Sequence, residues 1–172
     1  MTLASRIAVM NKGELQQFDE PQAIYDRPVN LFVAGFMGSP AMNFIPAETV
    51  RENGGSAVSF PLGPGERATL GLQGECARIA PGRKVILGVR PEHVFRHSED
   101  LSRAKRGIAT LTAPVEVVEP TGAETIAVLR FGDREVTGRF DPDSAPRMGE
   151  RVELGIDMTH ACIFDPETER LV

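Results

Sequence analysis

Chemistry in this sequence has to come from a small set of residues. Gly63-Pro64-Gly65-Glu66-Arg67-Ala68 satisfies the spacing G-x-G-x-x-A, in which glycines let the backbone approach a dinucleotide pyrophosphate at a helix N-terminus. That use requires a helix to follow. Thr69 to Leu72 is instead β-favouring and runs into Gln73-Gly74, so the segment reads as a loop between strands.

Gly88-Val89-Arg90-Pro91-Glu92-His93 has the better claim to a function. An Arg and a Glu leave the end of an apolar run, and a proline fixes the chain between them. The spacing suits an ion pair between Arg90 and Glu92. Buried polar groups are as a rule satisfied internally, so this pair, or bonds from it to neighbouring carbonyls, is expected to pin the fold. The functional use of the same corner is a contact with a subunit or partner. Gly88, Arg90, Pro91, Glu92 and His93 are the candidate site residues.

No other group of residues converges in the sequence. His93, His97 and His160 are scattered in sequence and differently flanked, which does not indicate a metal cluster, although folding could in principle bring them together. Thr159-His160-Ala161-Cys162 places a His and a Cys two apart, on one face if the segment is a strand. A packed thiol beside a satisfied histidine is the expectation there. Cys76 and Cys162 are too few for a disulfide framework or a zinc site and are expected to be reduced and structural. Phe140-Asp141-Pro142-Asp143 and Phe164-Asp165-Pro166-Glu167 carry the chemistry of type I turns, without the further ligands of a calcium loop. No catalytic, cofactor-binding or metal-ligating residue is assigned.

The 172 residues, 41% of them hydrophobic, suffice for one domain with a real core and an appendage. A net charge of −5 disfavours nucleic acid as a partner, since tracking phosphates needs clustered Lys and Arg. Arg103, Lys105 and Arg106 form the one basic cluster and read as a solvated loop. The N-terminus has no signal-peptide h-region and no apolar run reaches the roughly 20 residues of a membrane helix. A cytosolic protein is expected.

Glycines and prolines, 17 and 13, punctuate the chain into many short elements. Arg6 to Met10, the turn Asn11-Lys12-Gly13 and Glu14 to Phe18 predict a β-hairpin. Asp19 is expected to cap a short helix with Pro21 in its first turn, ending before Pro28, and Asn30 to cap a second helix that Gly38-Ser39-Pro40 stops. These roughly 40 residues bury too little to stand alone, and their apolar Ile7, Val9, Phe32 and Phe36 are expected to lie exposed. Strands follow at Phe44 to Arg51, Ser56 to Leu62, Val85 to Val89, around Val115 to Val118, and on either side of Gly132-Asp133. The cleanest alternation is Val152, Leu154, Ile156, Met158. Seven or more short strands predict a mainly β fold closed into a barrel, because closure removes edges.

Two stretches, MTLASRIAVMNKGELQQFDEPQAIYDRPVNLFVAGFMGSPAMNF at Met1 to Phe44 and LGVRPEHV at Leu87 to Val94, resemble the C-terminal portion of the ATP-binding subunits of carbohydrate ABC importers of the maltose and glycerol-3-phosphate type. VEVVEPTGAETIAVLRF and GERVELGIDMTHACIFDPETERLV also look like that family. The resemblance implies an OB-like β-barrel of the TOBE or MOP type over residues 41–172, with an N-terminal β-hairpin and two short helices over 1–40 left over from an α/β ATPase domain. The phosphate-cradling loop, acidic strand, signature loop and switch histidine of that family are expected upstream of Met1, together with its ATP and Mg. The part in hand is then expected to be non-catalytic. It would regulate and dimerise through the barrel, with transporter membrane subunits and, as in some members, a regulatory protein as partners, and a cytoplasmic, membrane-peripheral setting. The alternative is a free-standing OB-like module that binds an oxyanion or oligosaccharide.

Overall fold

The structure, a computed structural model, describes residues 4–97 and 107–172. The basic cluster of Arg103, Lys105 and Arg106 lies outside the described residues.

Strand β1 (Ile7–Asn11) pairs antiparallel with β2 (Glu14–Asp19). Lys12 and Gly13 turn the chain with φ of 48° and 86°, the left-handed pair that matches the twist of a two-residue hairpin. Helix α1 (Pro21–Asp26) and helix α2 (Leu31–Phe36) follow. Asn30 caps α2 as expected, its side chain accepting from the Val33 amide at 2.9 Å. The expected cap on α1 is not made: Glu20 holds the N-cap position without a side-chain bond, and Asp19 accepts only from the adjacent Glu20 amide.

The rest of the described chain is β-rich. One sheet has the order β12-β6-β3-β4-β5, from β3 (Asn43–Glu52), β4 (Gly55–Gly63), β5 (Glu66–Gly71), β6 (Lys84–Val89) and β12 (Cys162–Phe164). The other has the order β10-β9-β8-β11-β7, from β7 (Val94–Arg96), β8 (Ile108–Pro120), β9 (Thr125–Phe131), β10 (Arg134–Phe140) and β11 (Arg151–Asp157). The G-x-G-x-x-A segment is the tight β4–β5 connection, and a strand follows it.

The two sheets curl around one core in an OB-like barrel. Phe60 of β4 stacks on Phe131 of β9 at 5.8 Å and 5°, and Leu70, Leu87, Leu129, Leu154 and Ile156 complete a continuous apolar interior. β11 buries Val152, Leu154 and Ile156, as its alternation foretells. In β9 the inward set is Thr125, Ala127, Leu129 and Phe131, while Ile126 and Val128 are half-buried.

Two polar devices hold the sheets together. Asn43 donates through Nδ2 to the carbonyls of Val89 and Thr137 and accepts the Thr137 amide through Oδ1. The Gly132 amide donates to the Leu62 carbonyl at 3.0 Å. A Cβ at Gly132, where φ is +61°, would stand 2.9 Å from the Pro61 carbonyl oxygen, so only glycine fits.

The N-terminal block has a minimal core of Val9, Ile24 and Val33. Val9 is buried, and Ile7 and Phe32 are half-buried against that core, contrary to their expected exposure, because the hairpin folds onto the two helices; Phe36 does stand out, at 65% exposure. The block leans on the barrel: Ala34 packs with Met42, Cys162 and Phe164. The chain's far end joins in, with the Leu31 amide donating to the Glu169 carbonyl and the Leu171 amide to that of Val29.

Candidate functional site

The site grows from the topology. The chain passes from the first sheet to the second after β6 and returns after β11, each time through a single 3-10 turn, Pro91–His93 and Met158–His160. β7 pairs with β11, and β12 with β6. The two crossing turns therefore lie side by side, beneath helix α1.

Arg90 follows directly on β6 and is 2% exposed. Its Nη1 donates to the Met37 carbonyl at 2.6 Å and its Nη2 to the Tyr25 carbonyl at 2.5 Å. Those are carbonyls at the ends of α2 and α1, which have no acceptor role within the helices. The guanidinium also lies 3.5 Å from the Tyr25 ring centroid, a desolvated cation–π contact. Gly38, with φ of +114°, carries the chain past the guanidinium.

Of the two expected arrangements, bonds to neighbouring carbonyls are the one Arg90 makes, and the Arg90–Glu92 ion pair is not made. The Pro91–His93 turn carries Glu92 beyond the guanidinium to the other end of Tyr25, where its carboxylate accepts the phenol hydrogen. Burial works to raise the Glu92 carboxyl, but the phenol, a backbone amide and the neighbouring His93 and Arg90 charges outweigh it and hold the pKa below the ordinary value. The Tyr25 phenol is pushed up by burial and by its bond to Glu92. Arg90 and Glu92 thus grip one tyrosine at both ends. Gly88 is equally fixed: a Cβ there would meet the Met42 sulfur at 2.6 Å and the Phe164 ring at 2.9 Å.

His93 closes the first turn, and its ring stacks on that of His160 at 4.5 Å and 5°. The histidines that look scattered in sequence are brought together, with Asp157 as a third member and without His97. Burial, then the proximity of His160, lowers the His93 pKa. Thr159-His160-Ala161-Cys162 is a turn running into β12 rather than a strand, so His160 and Cys162 do not share a strand face. Burial pushes the Cys162 thiol up to about 11, and the half-buried Cys76 is raised for the same reason. The turns at Asp141 and Asp165 are closed by their own carboxylates, which accept the amides of Asp143, Glu167 and Thr168.

Concavities near these residues include a cleft of about 260 Å³ against His160, Ala161 and Cys162, walled on the other side by Arg27, Glu75 and Cys76. The space enclosed by Tyr25, Arg90, His93 and Cys162 is about 10 Å³, room for roughly one water. A broad surface hollow of about 730 Å³ lies at Arg96, Asp143, Arg147 and Glu150, where Arg96 already donates to Glu150 and to the Ser144 carbonyl.

Sequence patterns of two domain families match this chain: the MalK OB fold domain over residues 38–94 and the TOBE domain over residues 87–164. The trehalose/maltose import ATP-binding protein MalK of Thermococcus litoralis is 39% identical over 174 residues, covering 100% of this chain and 45% of that protein. The chain belongs to the carbohydrate ABC-importer ATP-binding protein family. Within that family it is 34% identical to the sulfoquinovosyl glycerol transport ATP-binding protein SmoE of Agrobacterium fabrum, covering 100% of this chain and 45% of that one. It is 38% identical to the sn-glycerol-3-phosphate import ATP-binding protein UgpC of Chromohalobacter salexigens, covering 99% and 43%. The chain spans less than half the length of these importer proteins. In fold it is similar to a crystal structure of the molybdate-binding protein ModG, with a TM-score of 0.52 and 20% identity over 72% of this chain and 96% of that one. The OB and TOBE patterns overlap at residues 87–94, the stretch that carries the Arg90–His93 corner.

Sequence reasoning found that corner but missed Tyr25, the residue it holds, and Asn43. A lone Tyr in a short helix is the one signal that marks the first; a strand asparagine offers none.

Proposed function

We propose that this chain is the regulatory and dimerising portion of the ATP-binding subunit of a carbohydrate importer. Residues 1–40 are read as the closing hairpin and helices of the ATPase domain, and residues 41–172 as the OB/TOBE barrel. The observation that carries this reading is the junction: a block with a core of only three residues is fastened to the barrel by the buried Arg90 and by the chain's far end. Met10, Leu15, Phe18 and Phe36 stand at least half exposed on that block, a face suited to cover by the rest of an ATPase domain.

In this reading the chain hydrolyses no ATP by itself, and ATP and Mg belong with the remainder of the subunit. The membrane subunits are reached through the ATPase domain, and the setting is the cytoplasmic face of the membrane. Among the described residues no helix is long and apolar enough to cross it. The barrel pairs with a second copy, so that the ATPase halves remain at high effective concentration as they part and reclose; a regulatory protein is a further partner. Arg90 and Pro91 are buried, so of the corner only Glu92 and His93 have surface to offer a partner. The binding-module alternative is not favoured: in the hollow at Arg96 that guanidinium is already paired with Glu150, and the space beside Arg90 is too small for an anion.

Sedimentation equilibrium on the full chain tests the pairing. A monomer–dimer equilibrium is expected, and a monomer at every accessible concentration would contradict it.

A further inference from the structure

We propose that His93, Asp157 and His160 form a binding site for a divalent transition-metal ion where the two sheet-crossing turns meet. One nitrogen of each histidine and one carboxylate oxygen of Asp157 all lie within 4.8 Å of one another, and His160 Nε2 is 4.0 Å from Asp157 Oδ2. A tetrahedral ion with bonds of about 2.0–2.1 Å needs ligand atoms roughly 3.3 Å apart, so each pair has to close by about 1.5 Å or less.

The three residues differ in how they are held. His93 is part-buried at the end of a proline-initiated turn. Asp157 has Oδ1 committed to the amide and hydroxyl of Thr159, at 3.0 and 2.5 Å, which aims Oδ2 at His160. His160 is the adjustable member. Its side chain is 54% exposed, and among the described residues no hydrogen bond holds its ring. Ligation tilts that ring out of its stack on His93, so that its in-plane lone pair meets the ion. Solvent reaches the site from the His160 side and supplies the remaining position.

Two imidazoles and one carboxylate select zinc, cobalt, nickel or copper over magnesium or calcium. The nearest other candidates are committed elsewhere: Glu92 accepts the Tyr25 phenol, and the Cys162 sulfur is directed to the Asp26 carbonyl at 3.8 Å. A bound ion joins the Pro91–His93 turn to the Met158–His160 turn. Because the first of these carries Glu92, the ion also stiffens the hold on Tyr25 and helix α1.

The test is titration of chelator-treated full chain with Zn²⁺ by calorimetry, and with Co²⁺ by visible absorption. Two variants keep the fold: His160→Ala removes an exposed ring, and Asp157→Asn retains an oxygen to accept from Thr159. The expected result is one equivalent of Zn²⁺, reversed by chelator, with affinity lowered at least 10-fold in each variant and unchanged in Cys76→Ser. The Co²⁺ complex should lack a sulfur-to-metal charge-transfer band. Absence of saturable binding, binding indifferent to His160→Ala, or binding lost in Cys76→Ser would each overturn the proposal.

Discussion

Arg90 lies over the ring of Tyr25, 3.5 Å from its centroid, while donating to the same residue's carbonyl. One guanidinium thus satisfies the C-terminal carbonyls of two short helices and, among the described residues, makes no ion pair; its charge is spread over dipoles and a π face. Glu92, which a reader of the sequence would pair with Arg90, takes the far end of the same tyrosine.

Arg90→Ala removes two charge-assisted hydrogen bonds and leaves two carbonyls in a closed space, costing about 3 kcal/mol. Arg90→Lys should recover only part of that, because an ammonium cannot reach both carbonyls and stack on the ring. Urea denaturation of the three proteins checks the order.

Tyr25→Phe deletes the phenol that Glu92 accepts, at a cost of about 1–3 kcal/mol. Glu92→Gln should then cost less when added to Tyr25→Phe than when made in the native chain. A double-mutant cycle reads the coupling directly, and additive losses would deny that the two residues share one bond.

The barrel itself was legible in sequence where the pattern was local. Strict alternation at Val152 to Met158 and the glycine turn at Gly132-Asp133 mark strands through period and turn chemistry alone. What was not legible depends on residues far apart in the chain. Asn43 bonds to Thr137 across 94 positions, and His93 meets His160 only because both sheet crossings fall at the same end of the barrel. The Arg90–Glu92 pairing failed because adjacency along the chain says nothing about which side of a 3-10 turn each side chain leaves. Val9 was misplaced for a related reason: a hairpin that looks orphaned can still bury one residue on its own helices.

Asn43→Ala forfeits three hydrogen bonds, the two to Thr137 joining the sheets, and strands the Thr137 amide, so it should destabilise by about 2–4 kcal/mol. Gly132→Ala, which forces a side chain against the Pro61 carbonyl at positive φ, should cost about 1–3 kcal/mol. Thermal unfolding of both variants gives the comparison, and an unchanged Tm in either would remove that residue from the inter-sheet seam.

Burial raises the Cys162 thiol to about 11, so the folded state disfavours its thiolate. Alkylation of this residue in the native chain should be negligible at pH 8 and climb with pH toward 11. The sign for stability follows: the contribution is full below the ordinary thiol value of 9.0 and is lost as pH rises through the folded value. Mass-spectrometric mapping of iodoacetamide adducts against pH checks it; rapid labelling of Cys162 at pH 8 would place it at the surface.

Arg90 joins the hairpin-and-helix block to the barrel, and residue-resolved hydrogen exchange on the full chain with and without Arg90→Ala measures that most directly. Faster exchange across α1, α2 and the amide of Met37, with β8, β9 and β11 unchanged, is the predicted result. Equal loss of protection throughout, or none in the helices, would contradict it.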